Sequence, residues 1–132
     1  MDKNYKHSDL TKKIIKAFYT VYNELGYGFL EKVYERAMII ELKEIGLNCN
    51  KQQAIKVKYK NQNIGDYYAD IIVNDVVIIE LKAVKNIIEE HEIQLVHYLK
   101  ATDIEVGLLL NFGPEPQIVR RVLTKEYKNK SY

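Results

Sequence analysis

The sequence has little that would tie the chain to an oxidising compartment or to a membrane. Cys49 is its single cysteine, so an internal disulfide is excluded. There is no apolar run long enough to span a bilayer, and the N-terminus lacks the pattern of a signal peptide. We therefore expect a soluble, cytoplasmic protein with no membrane partner.

An excess of charge of one sign is also missing. The chain carries 20 Lys and Arg against 18 Asp and Glu, a net charge of +2, which is far from the strongly basic balance that by itself indicates nucleic-acid binding. A charged partner must therefore be bound by charged side chains clustered at one place on the protein. Repeats and low-complexity segments are absent as well, and the length predicts one domain over residues 1–132. Its core should cover about residues 10–123, followed by a frayed polar tail at 125–132.

Three stretches have helical periodicity. In the first, apolar residues recur at helical spacing from Leu10 to Leu25, and Ser8 is the predicted N-cap. A second helix is predicted over about residues 29–45, ended by Gly46, and a third over about 87–101. On the third helix one polar stripe carries His91, Gln94 and Tyr98, beside a separate apolar stripe.

The remaining segments have the composition of strands. Alternation of apolar residues with lysines predicts a half-buried strand over 54–60, and two β-branched runs predict a hairpin of 64–73 with 76–83. A continuous apolar run predicts a strand covered on both faces at 106–112, and a last strand is expected at 118–123. Hairpins are antiparallel, and the connection through the third helix allows a parallel crossover. The predicted fold class is α/β (α+β), with a mixed central sheet flanked by helices.

Charged side chains occur where the predicted hairpin should be buried. Glu80 and Lys82 continue an apolar strand and share one face of it, a costly position for charges that have no use. Asp70 lies upstream on the preceding strand, but a clean two-residue turn at Asn74 and Asp75 would send it to the opposite face. We therefore predict an odd-length turn, or one bulge, that brings Asp70 to the face of Glu80.

Two carboxylates facing one pocket offer hard oxygen ligands for one or two Mg²⁺ or Mn²⁺ ions. Lys82 beside them could hold a scissile phosphate or help orient or deprotonate a water molecule. This combination indicates phosphodiester hydrolysis. Glu31, on the second helix, could add a metal ligand or orient water, while Gln94 and Tyr98 could hold water or the nucleic-acid backbone.

These residues resemble the signature of a known superfamily. Asp70, Glu80 and Lys82 match the D…(D/E)XK pattern of the PD-(D/E)XK nucleases, and residues 94–98 resemble the QxxxY element of their exonuclease-like branches. Residues 28–34 resemble the GxxExxY family, small proteins within that superfamily. The resemblance covers about residues 10–123. It implies a restriction-endonuclease-like core and a candidate metal site. From these residues we expect a Mg²⁺- or Mn²⁺-dependent nuclease acting on nucleic acid, DNA more than RNA.

Within that resemblance, the expected catalytic set is Lys82, Glu80, Asp70, Glu31 and Gln94, with Asp70, Glu80 and Glu31 as metal ligands. Tyr98, Tyr34 and His91 are candidates for substrate binding, and each has an alternative as a packing or hydrogen-bonded structural residue. Lys56, Lys58 and Lys60 could follow phosphates or simply form a solvated face. Two further alternatives stay open: a non-catalytic member that binds nucleic acid or protein, and a homodimer that forms its channel from two copies.

Overall fold

The computed structural model describes residues 6–130, with the side chains of 129 and 130 excepted. Four helices are present in this range: α1 (Ser8–Leu25), α2 (Glu31–Glu44), α3 (Glu89–Lys100) and α4 (Lys125–Lys130). Five strands form one sheet: β1 (Cys49–Tyr59), β2 (Gln62–Val73), β3 (Val77–Lys82), β4 (Val106–Phe112) and β5 (Pro116–Val122). No helix of the described range is both long and apolar enough to cross a bilayer.

The sheet is mixed, as the sequence predicts. Its strand order is β1-β2-β3-β4-β5, and β3 and β4 are parallel neighbours connected through α3, whereas every other neighbouring pair is antiparallel. Every residue of β4 is buried, which confirms the strand covered on both faces. The α+β fold with a mixed sheet flanked by helices is therefore confirmed.

Helices cover both faces of the sheet. α1 and α2 pack on one face, where Phe18, Tyr34 and Phe112 belong to one buried cluster. α3 packs on the other face, where Leu95 and Leu99 join a second cluster. The approach of α3 is close, because a Cβ added at Gly107 of β4 would lie 2.7 Å from Leu95 Cδ1.

Several predicted boundaries are wrong by a few residues. Ser8 is the first helical residue of α1, and His7, in the left-handed conformation with φ 55°, is the N-cap without a side-chain bond. β1 begins at Cys49 rather than 54, and β5 begins at Pro116 rather than 118. β1 and β5 are edge strands. Backbone pairing with β2 defines the start of β1 at residues 49–53, where mostly exposed polar side chains give no apolar alternation.

Part of the predicted polar tail is helical. Over residues 125–130 it forms α4, while 131–132 lie outside the described residues. Lys128 Nζ donates to the carbonyls of Thr102 and Ile104 at 2.8 and 2.7 Å. The N–H of Lys125 donates to Glu105 Oε2 at 2.6 Å. These contacts with the segment before β4 hold the helix, and no local sequence pattern indicates them.

The turn between β2 and β3 has three residues, so the prediction of an odd-length turn is confirmed. Val73 pairs with Val77 and Ile71 with Ile79, which continues to Asp70 opposite Glu80. Asn74 and Asp75 take left-handed conformations, with φ 50° and 59°.

β1 and β2 form a ribbon that is longer than the rest of the sheet. They pair from Cys49 and Val73 to Tyr59 and Gln62, whereas β3 pairs with β2 only over 71–73. Residues 53–69 therefore extend past the part of the sheet that β3 supports, and we call this segment the arm. It contains one irregularity, between Val57 and Lys58.

Candidate functional site

The site is built on the last residues of β3. Ile78 packs in the cluster beneath α3, whereas Ile79 and Leu81 pack beneath α1 and α2. Because side chains alternate along a strand, Glu80 and Lys82 face the α3 side with Ile78. Glu80 is only 5% exposed and Lys82 is half-buried. The predicted shared face of Glu80 and Lys82 is thus present.

β2 and β3 part at the carboxylates. Ile71 and Ile79 are their last paired residues, and beyond them side chains replace the ladder bonds. The N–H of Leu81 donates to Asp70 Oδ2 at 2.8 Å, and the N–H of Asp70 donates to Glu80 Oε1 at 3.3 Å. Each carboxylate is therefore held by a backbone donor of the neighbouring strand, which brings Asp70 and Glu80 together as predicted.

Ionising both carboxylates of this pair is unfavourable in the metal-free protein. The pKa of Glu80 is raised to about 8, chiefly by burial and next by the charge of Asp70, whereas the Asp70 N–H and the Lys82 ammonium lower it. A bound divalent cation would supply the missing positive charge, so the electrostatics suit a metal site.

Glu31 begins α2 and is electrostatically coupled to the pair. Burial of its carboxylate raises the pKa of Glu31, the Lys82 ammonium opposes that shift, and Asp70 and Glu35 add to it. The charges of Lys82 and Asp70 therefore act on the Glu31 carboxylate, although the residue as a whole is exposed. It comes from the opposite layer of the fold, across the end of the sheet.

For Tyr34 the structure favours the packing alternative over a contact with substrate. Its side chain is fully buried, and its ring stacks on Phe112 with centroids 4.1 Å apart. The hydroxyl donates to the carbonyl of Gly26 at 2.6 Å and accepts from the N–H of Phe29 at 3.1 Å. Tyr34 therefore holds the loop that leads into α2 and positions Glu31.

Replacing Tyr34 by Phe tests this positioning. Tyr34→Phe keeps the stacked ring but leaves the Gly26 carbonyl and the Phe29 N–H without their partner, so we expect the free energy of unfolding to fall by about 1–2 kcal/mol. Urea denaturation measures it. The matched control is Tyr59→Phe at a side chain 61% exposed, expected to change stability by less than about 0.5 kcal/mol. Equal stability of Tyr34→Phe and the wild type would contradict this role.

Glu35 belongs to the site and was missed from the sequence. It is 7% exposed and lies one turn after Glu31. Gln52, in a left-handed conformation with φ 51°, donates through Nε2 to Glu35 Oε2 at 3.2 Å and to Asp70 Oδ1 at 3.5 Å. The available signal was a second carboxylate four residues after Glu31, on the same side of a helix that is otherwise apolar there.

Gln94 and Tyr98 act together on α3. Gln94 Nε2 donates to the Tyr98 hydroxyl at 2.8 Å. The pKa of Tyr98 is raised to about 12, chiefly by burial and next by the charge of Glu80. Tyr98 packs in the cluster that contains Ile78, on the face of β3 that carries Glu80. The predicted polar stripe therefore reaches the site through these two residues.

His91, from the same predicted stripe, has a different role. Its Nδ1 accepts a hydrogen bond from the N–H of Ile88 at 3.1 Å, at the first turn of α3. This hydrogen bond occupies Nδ1 and caps the N-terminus of α3. The structural alternative for His91 is thus the one the structure favours, and substrate contact by this residue is not supported.

The segment after Lys82 is held by a buried amide. Asn111, opposite Lys82 on β4 and fully buried, accepts from the N–H of Val84 at 3.0 Å and donates to the Val84 carbonyl at 2.9 Å. A Cβ at Gly113 would lie 2.5 Å from that carbonyl oxygen, so only glycine fits there without a shift. This packing fixes the end of β3 and therefore the backbone of Lys82.

The donor set suits Mg²⁺ or Mn²⁺ with two protein carboxylates. Across residues 6–130, no three His, Cys, Asp or Glu side chains converge as a metal site. Mg²⁺ commonly takes one or two carboxylates and completes its shell with water and phosphate oxygens. Asp70 and Glu80 fit that pattern. Glu31 and Glu35 border the pair without completing a three-carboxylate cluster, so direct ligation by Glu31 stays a prediction.

A mixed sheet flanked by helices, with two carboxylates and a lysine where two strands part, defines a nuclease-like α+β domain. Residues 8–122 match the family model of the PD-(D/E)XK nuclease superfamily, and the chain belongs to that superfamily.

Among solved structures, the one titled crystal structure of SSO0001 is similar, with a TM-score of 0.57 and 17% identity. The match covers 96% of this chain but only 64% of that one, and at this identity it shows the fold alone. No curated protein gives a significant match.

Proposed function

We propose that this protein is a divalent-metal-dependent nuclease that hydrolyses phosphodiester bonds in nucleic acid, with DNA favoured over RNA. The observation that carries the proposal is the pair of facing carboxylates, Asp70 and Glu80, each bound by a backbone N–H of the neighbouring strand, with Lys82 on the same face of β3 as Glu80. The raised pKa of Glu80 means that ionising the buried pair is unfavourable without a cation, and strongly shifted pKa values of this kind cluster at functional sites.

In this mechanism Asp70 and Glu80 would hold Mg²⁺ or Mn²⁺. When bound, such an ion neutralises the charge that develops on the attacking and leaving oxygens. Lys82 donates to a non-bridging phosphate oxygen, or holds the attacking water in line with the scissile bond.

The supporting residues come from two helices. Glu31 orients water from the α2 side. Gln94 presents its amide oxygen to water or to the backbone of the nucleic acid, because its amide nitrogen is already bound to Tyr98.

We also propose that the chain is a GxxExxY member within the superfamily. Each named position of that motif has a defined place. Gly28 has φ 122°, a conformation that residues with a Cβ rarely adopt. The charges of Lys82 and Asp70 act on Glu31. The Tyr34 hydroxyl holds the loop before α2 through its hydrogen bonds with Gly26 and Phe29. These roles support the assignment, because they give the glycine and the tyrosine a reason to accompany the glutamate.

A cleavage assay tests the proposed activity. Labelled single- and double-stranded DNA and RNA are incubated with purified protein and Mg²⁺, Mn²⁺ or EDTA. We expect cleavage of at least one substrate with a metal ion and none with EDTA. Cleavage that persists in EDTA would contradict a metal-dependent mechanism. Intact substrates under every condition would favour the non-catalytic alternative, in which the fold only binds nucleic acid or a protein.

A further inference from the structure

A groove of about 770 Å³ lies between α3 and the arm. Its walls include Lys56, Lys58 and Tyr67 from the arm. Gln94, Tyr98 and Lys100 contribute from α3. The groove is thus formed by the part of the β1–β2 ribbon that β3 does not support, facing the helix that carries the QxxxY pair.

Positive charge is concentrated in the groove, although the chain as a whole carries little net charge. Three lysines, at positions 56, 58 and 100, line it against one carboxylate, Glu90, although the net charge of the entire chain is only +2. Lys56, Lys58 and Lys100 are exposed, so their ammonium groups are accessible to a polyanion. Lysines placed along one groove are typical of a surface that follows a phosphate backbone.

Aromatic rings lie within the same groove. Tyr67 is 49% exposed, and its ring centroid is 5.9 Å from that of the buried Tyr98. An exposed ring beside a row of cations is the arrangement on which unpaired bases stack. A duplex offers no such faces, because its bases are already stacked on one another.

Two residues of α3 relate the groove to the carboxylate side of the sheet. Gln94 and Tyr98 line the groove, and Tyr98 packs in the same buried cluster as Ile78, on the face of β3 that carries Glu80. The same cluster contains Ala69, which precedes Asp70.

We infer that this groove binds single-stranded nucleic acid, with the lysines on its phosphates and Tyr67 on its bases, and leads that strand to the carboxylate pair. Its volume of about 770 Å³ lies in the range of small-ligand sites, roughly 300–1,000 Å³, the scale of a short single-stranded segment rather than of a duplex. The inference extends the proposed nuclease function by naming its substrate class.

Binding in EDTA tests the groove separately from catalysis. Fluorescence anisotropy measures the affinity of the full chain for labelled single-stranded and double-stranded oligonucleotides of equal length. We expect the single strand to bind at least about tenfold more tightly. The double variant Lys56→Ala/Lys58→Ala should weaken this binding about tenfold or more and reduce its salt dependence. Tyr67→Ala should weaken it about fivefold or more, with little change in salt dependence.

Matched controls remove the same groups elsewhere. Lys12→Ala/Lys13→Ala takes two exposed lysines from α1, and Tyr59→Ala removes an exposed ring near the tip of the arm, outside the groove lining. Both should bind as the wild type does. Equal or tighter binding of duplex, or equal losses in the controls, would overturn the inference. Groove-dependent binding without cleavage would support the groove and refute the nuclease. Cleavage that the groove variants leave unchanged would support the nuclease and refute the groove.

Discussion

Lys82→Ala is expected to reduce metal-dependent cleavage by about 10²- to 10⁴-fold while leaving the fold intact. The ammonium group is the only part of the proposed machinery on β3 that can neutralise a phosphate oxygen or orient water, so its loss removes stabilisation of the transition state. The half-buried Lys82 side chain takes no part in the backbone hydrogen bonds of the sheet. The backbone of β3 is held by β4 and by Asn111. Initial cleavage rates and thermal melting of the same preparations measure the two effects.

The matched control is Lys85→Ala, which removes an exposed lysine three residues further along the chain. It should cleave at the wild-type rate. Asp70→Asn adds a second comparison, because its side-chain oxygen can still accept from the Leu81 N–H while the ligand charge is lost. We expect it to lose cleavage and to stay folded. If Lys82→Ala or Asp70→Asn fails to fold, the charges form a structural pair; if Lys82→Ala cleaves normally, the proposed role of Lys82 is refuted.

Glu80→Gln is expected to stabilise the metal-free protein at pH 8 and to have little effect at pH 4. The folded-state pKa of Glu80, about 8, lies above the value of 4.5 for an unperturbed Glu. Between these values the folded state keeps a proton that the unfolded state has lost, so wild-type stability falls as pH rises. The neutral amide removes this loss. We expect a gain of roughly 2–4 kcal/mol at pH 8, visible as a rise of several degrees in Tm.

The same variant separates stability from metal binding. At pH 8, Mn²⁺ should raise the Tm of the wild type by mass action and leave that of Glu80→Gln nearly unchanged. Glu24→Gln, at an exposed carboxylate of α1, serves as the control and should follow the wild type at every pH. A wild-type Tm that does not fall between pH 5 and 8 in EDTA, or a Glu80→Gln variant that is less stable at pH 8, would contradict the assigned electrostatics.

The two tyrosines of the predicted site show what helical periodicity cannot predict. Both Tyr34 and Tyr98 lie on helices next to motif residues, and the spacing treats them alike. In the structure Tyr34 is buried against Phe112 beneath α1 and α2, whereas Tyr98 lies on the α3 side with its hydroxyl near Glu80. Which side of the sheet a helix packs on depends on contacts between elements that are distant in the chain. Helical periodicity within one segment does not predict those contacts.

The sequence by itself determined the hairpin that carries the two carboxylates and the lysine. Strand alternation puts Glu80 and Lys82 on one face, and the constant sum of paired positions shows that Asp70 joins them across an odd-length turn or a bulge. The structure contains the odd-length turn. These are local rules, acting between residues close in the chain. Only the tertiary structure decided that Glu35 reaches Asp70 through Gln52 and that the arm and α3 enclose a groove. Those contacts join separate elements, and their geometry is set by how the helices dock on the sheet.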